Sequence, residues 1–145
     1  MANTWTDYGL SRMLDITFRG ATAGTACSVH LLSSLTGADT DTELWAGISG
    51  NEVAAGTGYG SATITMDATG FDVLADDAVN NRQYLQLRDV VWTASGGDIA
   101  AAGAALVITD GGTDYVYAIF DFGGTVTATD GGTFTLQNCE LRVGV

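Results

Sequence analysis

A predicted β-hairpin spanning residues 104–122 is the feature that most constrains the fold. Two apolar, β-rich runs flank Asp110–Asp114, which reads Asp-Gly-Gly-Thr-Asp. Asp-Gly and Gly-Gly pairs tolerate the positive φ angles of a tight hairpin turn, which most side chains resist. We therefore expect two paired strands on either side of this turn.

The second arm of this hairpin, Tyr115–Phe120, is apolar on both of its faces. Alternation along a strand would give two sets of side chains: Tyr115, Tyr117 and Ile119 on one face, and Val116, Ala118 and Phe120 on the other. Sheet packing can cover one face, and the other needs a second layer, a helix or a neighbouring subunit. An interface between symmetry-related subunits would bury such an apolar patch without leaving an open-ended contact. We therefore expect a homo-oligomer, first of all a trimer.

Composition and spacing favour a mainly β fold. At 145 residues the chain suits one domain, and 20 glycines without any proline are typical of short strands joined by glycine turns. We predict one antiparallel β-sandwich or jelly-roll-like domain over residues 1–145, with a short N-terminal helix at about residues 5–19 and eight or nine short strands. One of these strands is expected at Glu43–Ile48, anchored by Trp45.

The N-terminal helix has recognisable start and stop signals. Thr4 can serve as its N-cap, Asp7 falls in its first turn, and Gly20 suits the left-handed residue that follows a helix. Between these signals, apolar residues recur at helical spacing: Leu10, Met13, Leu14 and Phe18. Such a stripe predicts a helix that covers a face of the sheet.

The charge balance limits the partners that the chain can bind. It has 17 acidic residues against five Arg, with no Lys, and a net charge of −12. Phosphates would be repelled, so we expect no nucleic-acid partner, whereas a protein with a basic patch would suit this surface. The longest apolar-rich run, Ile99–Ile108, is too short to cross a bilayer, and no signal-peptide pattern is visible. We expect no membrane partner and synthesis in a cytosol.

The sequence contains no recognisable catalytic motif. A Ser-His-Asp triad would have to use His30, which lies in a predicted strand among apolar neighbours and outside any nucleophile-elbow context. Zinc needs more His and Cys ligands than His30 and the distant Cys27 and Cys139 provide. In a reducing compartment these two cysteines are expected to be buried thiols, with a disulfide between them as the alternative. We therefore expect no enzymatic activity, no catalytic residue, no cofactor and no bound transition metal.

Carboxylate pairs occur in three turn-like stretches: Asp39/Asp41, Asp76/Asp77 and Asp110/Asp114. Glycoside hydrolysis needs two carboxylates across a cleft, but Asp is also favoured in turns because it bonds the local backbone. Clustered loop oxygens suit Ca²⁺ as well, although no EF-hand pattern is present. We prefer the turn interpretation and keep calcium at the second or third pair as the alternative.

Several short motifs follow one another in a characteristic order. They are a helix ending at Phe18-Arg19-Gly20, a strand at Ala26–Ser33, Glu52-Val53 before a glycine-rich turn with Tyr59, Ile119-Phe120-Asp121, and Gly-Gly/Thr-rich closing strands at 123–145. In this order they resemble a family of small structural proteins of tailed bacteriophages. Members of that family are described as tail-fibre-like, minor structural or head-decoration proteins.

The resemblance implies a virion component without catalysis, made in the host cytoplasm. We expect first a capsid decoration, or cement, protein that binds the major capsid protein or other virion proteins and stabilises the assembled head. A tail-fibre, tail-tip or adsorption module is the alternative, and a carbohydrate-binding domain is the third. The candidate residues for an oligomer or capsid interface are Tyr115, Tyr117, Ile119, Trp45 and Tyr59.

Overall fold

Antiparallel strands make up most of the chain in a computed structural model that describes residues 2–144. In chain order the elements are β1 (Ala2–Trp5), α1 (Asp7–Arg19), β2 (Ala26–Leu32), α2 (Trp45–Ile48), β3 (Ala62–Ile64), β4 (Val73–Asp77), β5 (Arg82–Leu87), β6 (Val90–Thr93), β7 (Ile99–Asp110), β8 (Thr113–Ala128), β9 (Thr133–Leu136) and β10 (Cys139–Gly144). The predicted mainly β fold with a short N-terminal helix is confirmed. No helix within residues 2–144 is long and apolar enough to cross a membrane.

The strands form two layers. The first is a five-stranded sheet in the order β1-β8-β7-β2-β3, called here the main sheet. The second layer combines the three-stranded sheet β10-β5-β4 with the two-stranded sheet β6-β9. The indole N–H of Trp5 in β1 donates to the backbone carbonyl of Arg142 in β10 at 3.0 Å, which ties the layers together at one edge. The result is the sandwich-like packing of antiparallel sheets that the sequence predicts.

The main core lies between the two layers. Its largest fully buried side chains come from both of them: Leu31, Ile64, Leu106 and Phe120 from the main sheet, and Leu87 and Leu136 from the second layer. Fully burying one such side chain stabilises a fold by about 1.5–3 kcal/mol. The two layers are therefore held together mainly by this shared apolar interior.

The hairpin of β7 and β8 is present as predicted, but a β-bulge changes the faces of its second arm. In the register with β7, Ala118 and Val116 face consecutive residues, which leaves Tyr117 as the extra residue. Val116 therefore shares the outer face of the main sheet with Ile119. Ala118 and Phe120 point into the main core. The two sets predicted by simple alternation are wrong, because the bulge shifts the alternation by one residue.

The outer face of the main sheet is covered by the segment between β2 and β3. Trp45 and Ile48 of α2 pack there beside the outer side chains of β7 and β8. Residues three apart lie on one side of a helical turn but on opposite sides of a strand. The strand predicted over Glu43–Ile48 is therefore wrong, and only Leu44 forms a β-bridge, to Tyr115. This segment buries the outer face of β8, so a helix of the same chain supplies the cover that the sequence requires, and the argument for a subunit interface at β8 is lost.

Helix α1 starts two residues later than predicted. Thr4 belongs to β1, where it pairs with Ile119, and Thr6 is the N-cap instead. Asp7 lies in the first turn and Gly20 ends the helix with a left-handed φ of 73°, both as predicted. The helix therefore has the expected signals, but its first turn is displaced by a short strand that has no sequence signature of its own.

The first turn of α1 is anchored to the bulge in β8. The Thr6 hydroxyl accepts a hydrogen bond from the backbone N–H of Gly9 at 3.0 Å and donates one to the carbonyl of Val116. The Thr6 N–H donates to the carbonyl of Tyr117 at 3.0 Å. Gly9 lies directly against the backbone of Tyr117, so closely that a Cβ at this position would overlap its carbonyl oxygen. Fully buried Thr6 thus satisfies backbone groups at a point where the sheet is irregular.

Candidate functional site

An apolar groove runs between α1 and the two layers of the sandwich. It has a volume of about 500 Å³, and its walls include Met13 and Ile16 of α1, Leu74 and Leu85 of the β4–β5 hairpin, and Ile108 of β7. Leu74 is 78% exposed although it is a large apolar side chain. Large exposed apolar surfaces on a small protein mark sites of interaction, because isolated proteins rarely leave such area in water.

Helix α1 also carries an exposed apolar ridge, separate from its groove-lining residues. Leu14 and Phe18, one helical turn apart, are 53% and 79% exposed. The sequence predicts that they cover the sheet, and this prediction is wrong, because the tight contact of α1 with the sheet is made through Gly9 instead. We call the groove together with Leu14, Phe18 and Leu74 the apolar surface.

The positive charges of the chain are largely used within it. Arg12 bonds Asp110 at 2.6 Å and Asp15 at 3.0 Å, which pins α1 to the β7–β8 turn. Three further arginines pair with carboxylates of the same chain: Arg19, Arg82 and Arg142. With a net charge of −12, the protein surface presents uncompensated carboxylates, and Asp67 lies on the wall of the groove. A partner that carries basic groups around an apolar contact would fit this combination.

The five candidate interface residues do not form one exposed surface. Tyr117 and Ile119 are each 5% exposed and Tyr59 is 6% exposed, so these three are buried within the protomer. Tyr115 is half-buried and stacks on Tyr8 with 4.1 Å between ring centroids. Trp45 is half-buried against the outer face of the main sheet. Of the five, only Tyr117 lies on the wall of the groove.

A chain of hydrogen bonds joins His30 to residues on both sides of it. His30 Nδ1 lies 2.8 Å from Glu52 Oε1, and His30 Nε2 lies 2.9 Å from Ser28 Oγ. The Tyr59 hydroxyl donates to the same Glu52 oxygen at 2.8 Å and accepts from the backbone N–H of Leu31 at 2.9 Å. Both ring nitrogens of His30 therefore have partners, in a Ser-His-Glu arrangement that its apolar sequence neighbours do not indicate.

The burial of Tyr59 keeps its hydroxyl protonated within this hydrogen-bond chain. Burial and then the hydrogen bond to Glu52 raise the pKa of Tyr59, so its hydroxyl stays protonated and remains a donor. The ring of Trp45 lies against the imidazole of His30 with 4.3 Å between centroids. Sequence patterns could pair Ser28 with His30, since both lie on one face of β2, but they could not bring Glu52 to the same place from 22 residues away.

At least one carboxylate of each pair forms a structural contact within the described residues, near in sequence for Asp39 and Asp77 and distant in sequence for Asp110. Asp77 bonds Arg82 and Asn80, and Asp110 bonds Arg12. The hydrogen bonds from Asn80 are the main reason why the pKa of Asp77 lies below its usual range. Within residues 2–144 no group of three or more His, Cys, Asp or Glu side chains is arranged to hold a metal ion.

Both cysteines are buried thiols. Cys27 in β2 and Cys139 in β10 belong to the main core. Burial raises the pKa of each thiol to about 12, and the charge of Asp89 adds to the effect at Cys139. Neither side chain is therefore suited to act as a thiolate nucleophile at neutral pH.

Comparison with known proteins adds no relative. No family model, curated protein or solved structure compared with the chain matches it. The functional conclusion accordingly depends on the order of the sequence motifs and on the surface described above.

Proposed function

We propose that this protein is a structural component of a bacteriophage virion, a capsid decoration protein that binds and stabilises the assembled head. The apolar surface is the observation that carries the proposal. An acidic protein of 145 residues leaves Phe18, Leu14 and Leu74 in water beside an open apolar groove. A structural partner is the simplest way to cover that area, and the role requires no catalytic residue.

The charge distribution supports a basic partner such as a patch on the major capsid protein. Four of the five arginines already form ion pairs within the chain, so the net charge of −12 is available for a partner. Attraction between the two surfaces would speed association and would weaken as added salt screens it. A protein that binds only the assembled shell stabilises that shell by mass action, in proportion to RT ln(1 + [L]/Kd).

A homo-oligomer, first of all a trimer, remains part of the proposal. The contact between subunits is now placed at the apolar surface and not at β8. The outer face of β8 needs no neighbouring subunit to cover it, because α2 buries it. The groove, with Leu74 on its wall, is the part of the apolar surface that a second copy would cover, which leaves Leu14 and Phe18 for the shell. Sedimentation at micromolar concentration tests this part: a stable monomer would contradict it.

Neither Trp45 nor Tyr59 offers the exposed aromatic ring that a tail module or a carbohydrate-binding domain would use. Tyr59 is buried in the main core, and Trp45 packs on His30 rather than standing free in a loop. A sugar platform needs an accessible aromatic face. We therefore rank both alternatives below the decoration role, and the location of the protein in the particle decides between head and tail.

The test uses shells that lack the protein. We expect such shells to break at a lower temperature, and wild-type protein added back at low salt to restore them. Phe18→Ser should weaken binding about 30-fold, since an aromatic anchor at an interface contributes about 2 kcal/mol. Val91→Ser is the matched control, because Val91 is 57% exposed on β6, outside the groove wall. Shells that are equally heat-stable without the protein would refute the decoration role.

A further inference from the structure

We propose that Ser28 is an activated nucleophile that attacks activated carboxylic esters and phosphonylating reagents. Its Oγ lies 2.9 Å from His30 Nε2, and His30 Nδ1 lies 2.8 Å from Glu52 Oε1. A nucleophile, a base and a group that orients the base are thus within hydrogen-bond reach of one another. The inference goes beyond the structural role proposed above, which does not depend on it.

For a neutral imidazole beside an ionised Glu52, the partners of each atom set the direction of every hydrogen bond in this chain. The hydroxyl of Tyr59 accepts from the N–H of Leu31 and donates to Glu52 Oε1. An ionised carboxylate can only accept, so Nδ1 of neutral His30 must carry the ring proton. Nε2 is then the acceptor, and the Ser28 hydroxyl must donate to it. This is the arrangement in which an imidazole can take a proton from serine.

The surroundings leave Ser28 accessible while they hold the histidine in place. Ser28 is half-buried in β2, and the residue directly opposite it on edge strand β3 is exposed Thr63. Opposed residues of antiparallel strands share a face, so the Thr63 hydroxyl stands beside Ser28 and can donate to an oxygen of a bound ester. On the other side, the ring of Trp45 restricts the imidazole of His30.

The reaction follows from these positions. Ser28 Oγ forms a bond to the acyl carbon of the ester while its proton passes to His30 Nε2. The bond between the acyl carbon and the leaving oxygen then breaks, and the leaving oxygen takes the proton from Nε2. The products are an ester of Ser28 and one molecule of alcohol or phenol, with no change in oxidation state. With a fluorophosphonate, Ser28 Oγ bonds phosphorus, the P–F bond breaks, and fluoride leaves with the proton from Nε2 as hydrogen fluoride.

The test measures covalent labelling of the folded protein by a fluorophosphonate probe and by para-nitrophenyl acetate. We expect both reagents to modify Ser28, as located by peptide mass spectrometry after digestion. Ser28→Ala should abolish the labelling, and His30→Gln should slow it about 100-fold, the usual size of a general-base contribution. Ser33→Ala should label like the wild type, because the Ser33 hydroxyl is exposed and bonds only the carbonyl of Asn51.

Two further measurements keep the test decisive. Circular dichroism of each variant establishes that it is folded, and wild-type protein unfolded in urea gives the background rate of an ordinary serine. Labelling of the folded protein no faster than this background, or spread evenly over several serines, would overturn the proposal. Equal labelling of the wild type and His30→Gln would overturn the role of the histidine.

Discussion

Removing the hydroxyl of Thr6 should destabilise the protein far more than its position near the N-terminus suggests. Thr6→Val keeps the shape of the side chain and deletes only the oxygen. That oxygen accepts from the N–H of Gly9 and donates to the carbonyl of Val116, and Thr6 is fully buried. The variant therefore loses the cap of α1 and also leaves a buried carbonyl at the bulge without this donor.

The magnitude follows from these two losses. Loss of an N-cap costs about 1 kcal/mol, and a buried polar group that loses its partner costs about 1–3 kcal/mol, so we expect about 3 kcal/mol in all. An entropy of unfolding of about 2.1 cal/mol/K per residue gives about 0.3 kcal/mol/K for 145 residues. The melting temperature should accordingly fall by about 10 °C.

Thermal unfolding followed by circular dichroism measures the effect, with Thr17→Val as the matched control. Thr17 lies in the same helix, is exposed, and donates only to the carbonyl of Met13. Its substitution should change stability by about 0.5 kcal/mol or less. If Thr6→Val and Thr17→Val shift the melting temperature equally, Thr6 does not anchor the helix to the bulge.

Two further predictions concern the packing of the core. Gly9→Ala should destabilise the protein, although alanine favours helices over glycine by about 1 kcal/mol, because its Cβ would overlap the carbonyl oxygen of Tyr117. Denaturant unfolding measures the effect, with Ser11→Ala as the control. A Gly9→Ala variant that is more stable than the wild type would contradict the contact. At pH 8, Cys27 and Cys139 should react with iodoacetamide at least about 100-fold more slowly in the native protein than in urea. Burial raises the pKa of each thiol from 9.0 to about 12, and each pKa unit lowers the thiolate fraction about tenfold. Equal rates in the native and the unfolded protein would show that the thiols are not buried.

The sequence predicts the parts of the fold that local chemistry determines. The Gly111-Gly112 pair adopts φ angles of 59° and 83° between β7 and β8, as the hairpin signal requires. Gly20 ends α1 because glycine accepts the left-handed conformation there. These features depend on one or two residues and their immediate neighbours, so a single sequence is enough to indicate them.

Features that depend on tertiary contacts were beyond such prediction. The bulge at Tyr117 has no glycine or other local mark, and it places Val116 on the opposite face from Ala118 and Phe120. Leu14 and Phe18 of the apolar stripe of α1 are exposed because the helix approaches the sheet through Gly9, a contact that periodicity cannot reveal. Glu52 reaches His30 only after the chain has crossed the outer face of the main sheet.

The most direct test of the decoration role is the location of the protein in an intact virion. Particles can be separated into purified heads and purified tails, and the protein quantified in each by mass spectrometry against the major capsid protein. The decoration role predicts many copies in the heads, in a fixed ratio to the capsid protein, and none in the tails. Detection in the tails alone, or absence from the particle, would contradict it.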